Sequence, residues 1–309
     1  MSGILKLSPS FKDYIWGGNK LMTQYGVKDM DRVAEAWVLS AHPDGPSYLP
    51  DGTTFVEALE KMGLEAVGKN AAGFKDFPQL IKLIDAQSDL SVQVHPSDEY
   101  ALKNEGQFGK TEMWYIVEAD EGARIVYGTK RAFTREEFVA AVEAGTLEEL
   151  MNYTPVKAGD IFFIPSGLVH AIGSGCLIAE IQQNSNITYR VYDYNRRQPD
   201  GSLRQLHVEK ALDVIRHFTE DDIEAIRYEK GRPEGAVASC KYFTVSKFKG
   251  DAEIDVCCDF AHLLCLGGTG SITGGNVTVE IAKGDSIYLP AGIGKVSVKG
   301  DAELILSRA

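Results

Sequence analysis

Between Leu90 and His95 the chain alternates, with Leu90, Val92 and Val94 apolar and Ser91, Gln93 and His95 polar. A period of two predicts a strand with one apolar and one polar face, here running from Ile81 to His95. Similar patterns predict strands over Met113 to Val117, Arg124 to Tyr127, Asp160 to Ile164 and Cys176 to Gln182. Elsewhere the spacing is helical. Phe55, Leu59, Met62 and Val67 predict a helix from Phe55 to Val67, capped by Thr53 or Thr54. Thr134 opens a second helix, Arg135 to Met151, interrupted at Gly145, and Ser97-Asp98-Glu99 starts a short one. His207 to His217 and Glu220 to Ile226 also read as helical, whereas the opening stretch to Tyr48 reads as loops and strands. From about Ser239 onward short strands alternate with glycine turns, without a helix signal. Gly, Pro and charge cluster between Gly231 and Gly235, which predicts two domains, 1–233 and 234–309.

One pattern occurs twice. Gly159-Asp160 is followed by an apolar run to Ile164, then Pro165, Gly167 and His170; Gly284-Asp285 is followed by a run to Leu289, then Pro290, Gly292 and Lys295. Gly-Asp and Pro-x-Gly are turn formers around a buried strand. The pattern resembles the second motif of the cupin superfamily, whose fold is a small jelly-roll barrel. The resemblance implies a mainly β protein with some helices, made of two cupin jelly-roll barrels. The second is degenerate and without metal, since Lys295 stands where His170 would fall.

Composition narrows the chemistry. The 309 residues are 44% hydrophobic and 25% charged, ordinary for a globular protein able to bury its own core. A net charge of −12 argues against non-specific nucleic-acid binding and against docking on anionic lipid. An anionic substrate would need a local basic cluster. The five cysteines, Cys176, Cys240, Cys257, Cys258 and Cys265, form no CxxC pair, so free buried thiols in a reducing cytoplasm are expected. No leader-like or membrane-spanning apolar run is seen, and a cytoplasmic monomer or homodimer is expected.

Four residues carry candidate metal chemistry. Gln93 and His95 leave one face of the predicted strand, Glu112 heads the next strand, and His170 ends the first hairpin. Two imidazoles, one carboxylate and one amide oxygen suit a zinc ion that keeps positions open for substrate. His42, His207, His217 and His262 lack this setting and are read as structural or surface residues.

The chain also resembles the type I mannose-6-phosphate isomerases in their short bacterial form. The matching segments are Tyr14 to Gly18, Ala34 to Pro43, Leu90 to Pro96, Lys110 to Trp114, Ile164 to Ala171 and Glu180 to Arg190. The resemblance implies one Zn2+ per chain on Gln93, His95, Glu112 and His170. It implies Arg190 as the basic residue central to catalysis, with Lys110 and Glu180 lining the pocket and Trp16, Glu35 and Ser91 contributing to substrate binding. The implied reaction interconverts mannose 6-phosphate and fructose 6-phosphate through an enediolate. Longer members carry a His where Gly109 stands and an acidic residue where Asn186 stands, which leaves the proton carrier open between Glu180 and a zinc-bound water. Arg196-Arg197 reads as a turn whose charge helps attract phosphate. An iron-dependent oxygenase, a non-catalytic sugar-binding cupin and an isomerase of another sugar phosphate are the alternatives.

Overall fold

The computed structural model describes residues 3–74, 76–227 and 235–309. Four antiparallel sheets form two facing pairs. In the first pair a six-stranded sheet has the order Ser10–Lys12, Glu35–Leu39, Gln79–Ala86, Cys176–Gln183, Glu112–Ala119, Ile161–Ile164. The facing five-stranded sheet has the order Tyr189–Tyr192, Val92–Val94, His170–Ile172, Arg124–Thr129, Met151–Pro155. The second pair joins a six-stranded sheet (Leu5–Leu7, Ser286–Leu289, Ala261–Gly267, Glu303–Arg308, Thr244–Lys249, Ala236–Ser239) to a four-stranded one (Ala252–Val256, Gly294–Gly300, Thr269–Gly274, Val277–Ala282).

Within each pair the chain crosses repeatedly from one sheet to the other, the wiring of a jelly roll. Eight successive strands from Gln79–Ala86 to Cys176–Gln183 cross in the same sequence as eight from Thr244–Lys249 to Glu303–Arg308, and they take the same neighbours. The repeated hairpins fall at matching places. Gly159 and Gly284 open them at φ of 94° and 95°, a left-handed conformation that only glycine adopts readily.

The expected strand Ile81 to His95 is two strands. Gln79–Ala86 lies in the six-stranded sheet and Val92–Val94 in the sheet facing it. Between them the chain turns at Ser88 and Asp89, where Ser88 N–H bonds Trp16 O and Asp89 accepts from Ser174 N–H. The predicted helices are present; those expected from Phe55, Arg135 and His207 are shorter, at Phe55–Met62, Arg135–Ala144 and Val208–Val214, while the last runs as expected over Glu220–Arg227. Thr54 and Thr134 each form a reciprocal capping box, with Glu57 and Glu137, and Gly63 and Gly145 end the two helices. The opening stretch holds a helix the pattern did not show, Lys20–Tyr25.

Two helices position the site indirectly. Phe138 of Arg135–Ala144 and Ala211 and Val214 of Val208–Val214 pack on Val92, Val94, Val126, Val169, Ala171 and Val191. They seal the outer face of the five-stranded sheet, so alternate residues on its strands face the opposing sheet. The other face of the first six-stranded sheet packs on the second pair, with Tyr115, Ile181 and Leu83 clustering with Phe243, Val245 and Ile305. Polar ties cross this seam: Ser286 Oγ donates to Val38 O at 2.6 Å, and Ser307 Oγ to Gln79 Oε1 at 2.7 Å. The expected boundary at 231–235 lies outside the described residues except for Gly235. Leu5–Leu7 is an edge strand of the second pair, so the chain's first strand lies beside its last ones.

Candidate active site

Strand register assembles the site. Across the five-stranded sheet Arg190 lies opposite Gln93, Gln93 opposite His170, and His170 opposite Tyr127. Directly paired residues share a face, so this row looks into the first sheet pair. Across the facing sheet Lys82, Glu180 and Trp114 form one row, and Gln182 and Glu112 lie opposite one another in the next. His95, two residues past Gln93, adds its ring from the first side.

His95, Glu112 and His170 converge, with donor atoms within 4.8 Å of one another. All three are buried. His95 Nδ1 lies 2.8 Å from Ile187 O, and His170 Nδ1 2.8 Å from Leu168 O. A carbonyl only accepts, so each ring carries its proton on Nδ1 and turns a lone pair on Nε2 inward. The two Nε2 atoms are 3.1 Å apart, and Glu112 lies 3.6 Å from His95 and 3.4 Å from His170. Among the described residues, neither oxygen of Glu112 makes a well-formed hydrogen bond. Two inward lone pairs and a carboxylate in one dry spot repel unless a cation sits among them. The Lys110 ammonium already answers part of that demand, 2.6 Å from Glu112 and 3.2 Å from His95 Nε2. The donor set therefore fits a metal ion, held as histidine ligands usually are, with the second ring nitrogen on a carbonyl.

The electrostatics agree. Burial, then the neighbouring Glu180, pushes the Glu112 carboxyl up to about 7 despite Lys110. Burial, then Lys110, holds His95 well below the ordinary imidazole range. Burial chiefly takes His170 down to about 4. Both rings are thus neutral near pH 7, the state a ligand needs. Burial opposes ionisation of Glu180 too, but Lys110 and Lys82 outweigh it and keep that carboxyl low. Glu180 lies 3.6 Å from Lys82 and 3.8 Å from Lys110, and Trp114 Nε1 donates to it at 2.9 Å.

Above this cluster is a cavity of about 280 Å³. Seven of the residues singled out from sequence line it: Trp16, Glu35, Ser91, Gln93, Lys110, Glu180 and Arg190. The other three, His95, Glu112 and His170, lie at its floor, reached through Lys110. Sequence reasoning missed Lys82 and Arg204. Lys82 is a buried ammonium in a strand of otherwise buried residues, paired with Glu35 at 3.4 Å, and a lone charge within Leu80 to Ile84 was the available signal. Four cations and two carboxylates line the cavity, a local positive excess in a chain of net charge −12. That is the basic cluster an anionic substrate requires. Arg196 and Arg197 are not part of it; Arg196 bonds Asp89 O and Asp193, and Arg197 bonds Gly201 O. The thiols are not all buried as expected: Cys176 and Cys265 are, but Cys257 and Cys258 are exposed. They lie in the bend after Ala252–Val256, outside either core.

Residues 4–129 match the profile of the phosphomannose isomerase type I catalytic domain, and residues 234–309 that of the mannose-6-phosphate isomerase cupin domain. The chain is 37% identical over 311 residues to mannose-6-phosphate isomerase ManA of Bacillus subtilis, covering 98% of each. The chain belongs to the type I mannose-6-phosphate isomerase family. The mannose-6-phosphate isomerase of Streptococcus mutans is 38% identical over 316 residues, covering 100% of this chain and 99% of that one. The crystal structure of the Bacillus subtilis mannose 6-phosphate isomerase superposes with a TM-score of 0.87 at 36% identity, covering 100% of both chains. The apo form from Salmonella typhimurium, 17% identical, shares the fold at a TM-score of 0.75. The expectation of an enzyme of this isomerase family is met. Among the described residues, no helix is long and apolar enough to cross a membrane.

Proposed function

We propose that the protein interconverts mannose 6-phosphate and fructose 6-phosphate as a zinc-dependent aldose–ketose isomerase of the cytoplasm, active as a monomer or homodimer. The observation that carries this reading is the pair of inward Nε2 lone pairs beside Glu112, under a cavity with a positive excess. Full-length similarity to enzymes named for this reaction supports the substrate. In this reading the two sheet pairs are cupin barrels, divided near residue 233, and the second is degenerate and holds no metal.

Aldose–ketose isomerisation moves a proton between C1 and C2 and passes through an enediolate, which needs a base, an anion-stabilising group and a fixed substrate. Gln93, His95, Glu112 and His170 would hold a zinc ion, which supplies electrophilic charge toward the sugar's reacting oxygens. Glu180, kept ionised by Lys82 and Lys110, is the base we assign to the C1–C2 proton. Lys110 stands between Glu112 and Glu180, so its ammonium meets the developing oxyanion and can return a proton to it. Arg190 has no carboxylate within ion-pair distance among the described residues, and its Nε is held by Ser91 Oγ at 3.3 Å. It faces the cavity as an uncompensated charge, suited to a phosphate or the enediolate. Trp16 and Glu35 form the wall that orients the sugar.

A coupled assay following fructose 6-phosphate from mannose 6-phosphate, before and after chelation and zinc restoration, tests the reading. Turnover lost on chelation and regained with zinc is expected. Absence of turnover with zinc bound rejects this substrate and sends the search to other aldose phosphates.

A further inference from the structure

The residues of the phosphate subsite can be assigned in more detail, an assignment that rests on the reading of the substrate as a phosphate ester. Arg190 is tied to the segment before the helix Val208–Val214. Its Nη1 donates to Gln205 O at 3.0 Å, its N–H to His207 Nδ1 at 3.2 Å, and its carbonyl accepts from His207 N–H at 2.7 Å. This pairing brings Arg204, one residue before Gln205, to the cavity that Arg190 lines.

Arg204 is held rigidly. Its Nε donates to Asp193 Oδ2 at 2.7 Å and its Nη2 to Asp193 Oδ1 at 2.5 Å, a fork that fixes the plane of the guanidinium. Asp193 is itself buried and also takes Nη2 of Arg196 at 2.5 Å. The turn that follows Asp193 is unusual. Tyr194 and Asn195 both adopt left-handed backbone, at φ of 55° and 53°, which disfavours any residue with a Cβ. This turn carries Arg196 back onto Asp193, so the strained backbone and the buried aspartate serve one arrangement.

After these bonds each arginine keeps one amino group that makes no hydrogen bond among the described residues, Nη2 of Arg190 and Nη1 of Arg204. We infer that these two groups form a two-armed clamp for the phosphate of the substrate, with Asp193 as the positioning residue for Arg204. Two like charges lining one cavity, one without a carboxylate within ion-pair distance among the described residues, are stabilised by a dianion between them. Ser91 and Thr188 line the same cavity and can add neutral hydrogen bonds to it. The mutual repulsion is visible in Arg190, whose charged form is disfavoured by burial and next by Arg204.

The test uses the zinc-loaded full chain and its Arg204→Ala, Arg204→Lys and Asp193→Asn variants, with folding checked by circular dichroism. The readouts are KM and kcat for mannose 6-phosphate and the inhibition constant of inorganic phosphate. Loss of one charge-assisted hydrogen bond predicts a rise of about 10- to 100-fold in KM and in the phosphate inhibition constant for Arg204→Ala, with a smaller change in kcat. Arg204→Lys recovers part of the loss, because a point charge lacks the fork that fixes the side chain on Asp193, and Asp193→Asn shifts KM in the same direction with zinc content unchanged. Wild-type KM and phosphate inhibition in Arg204→Ala overturn the clamp. If the wild type does not turn over mannose 6-phosphate, the substrate reading falls alone. Calorimetric binding of inorganic phosphate to wild type and Arg204→Ala then decides the clamp, with equal binding overturning it.

Discussion

The two sheet pairs share a strand order over eight strands, yet they fill their interiors oppositely. Between the sheets of the second pair lie Ile254, Val256, Leu263, Ile272, Ile287, Leu289, Val296, Val298 and Leu304, an apolar core. Between those of the first lie Lys82, His95, Lys110, Glu112, His170 and Glu180, all buried. Burying ionised groups costs free energy that apolar side chains in the same places would return. The second pair shows what the frame does when packing alone sets the residues. The first departs from it at the positions where a metal and an anionic substrate would sit. The comparison separates function from stability: changes inside the first pair should alter chemistry, and changes inside the second should alter folding.

The largest expected effect is on the chemical side. His170→Ala removes one of three convergent donors and should lower kcat/KM by about 10³-fold or more, as loss of a principal electrostatic element does. Bound zinc, measured by elemental analysis, should fall with it while circular dichroism stays native. Retained activity without zinc would end the assignment of chemistry to the first pair.

Next is packing. Leu289 is fully buried in the second core, and Leu289→Ala should cost about 2–5 kcal/mol of unfolding free energy. Urea titration measures the loss, and kcat under conditions where the variant stays folded should remain near wild type. A comparable fall in kcat would show that the two interiors are not separable.

A smaller effect lies at the seam between the pairs. His262 is buried, its Nε2 2.8 Å from Ser286 Oγ, which in turn bonds Val38 O of the first pair. Burial lowers its pKa from 6.5 to about 3. The unfolded chain therefore takes up a proton at this residue that the folded chain refuses, so stability is full above about pH 6.5 and declines as pH falls toward 3. At pH 5 the loss from this residue is about 2 kcal/mol relative to pH 7.5. His262→Leu should flatten the fall in unfolding free energy between pH 7.5 and pH 5 by that amount. An unchanged slope would place the acid sensitivity elsewhere.

Much of this was legible in the sequence. Period-two alternation placed Gln93 and His95 on one face, and the capping signals at Thr53 or Thr54 and at Thr134 marked helices that the structure begins after Thr54 and Thr134. Family segments named seven residues that line one cavity and three that lie at its floor. What local pattern could not show is which sheet a strand joins. Residues 81–95 read as continuous because Ser88 and Asp89 form a turn through bonds to distant backbone, at Trp16 and Ser174. Lys82 and Arg204 were passed over for a related reason. A single charge in a strand, or one arginine near others in a polar loop, acquires meaning only when topology brings it to Glu180 or to Arg190.

The smallest expected effect concerns the repeated hairpin itself. By sequence position Lys295 replaces His170, which suggests that Lys295→His would rebuild a ligand in the second pair. The backbone argues otherwise. His170 faces inward, while its neighbour Ala171 joins the helix-covered outer cluster. In the second hairpin it is Val296 and Val298 that enter the core, so Lys295 lies on the opposite face, exposed and paired in register with Asp255. A shift of one residue in a strand exchanges its faces, and the motif has undergone such a shift between its two copies. Lys295→His should therefore leave the metal content by elemental analysis, and turnover, as they are in the unsubstituted protein. A second tightly bound zinc would mean that the face, and not only the residue, can be recovered. The apolar core of the second pair would then be a later filling of a site that its strand order still supports.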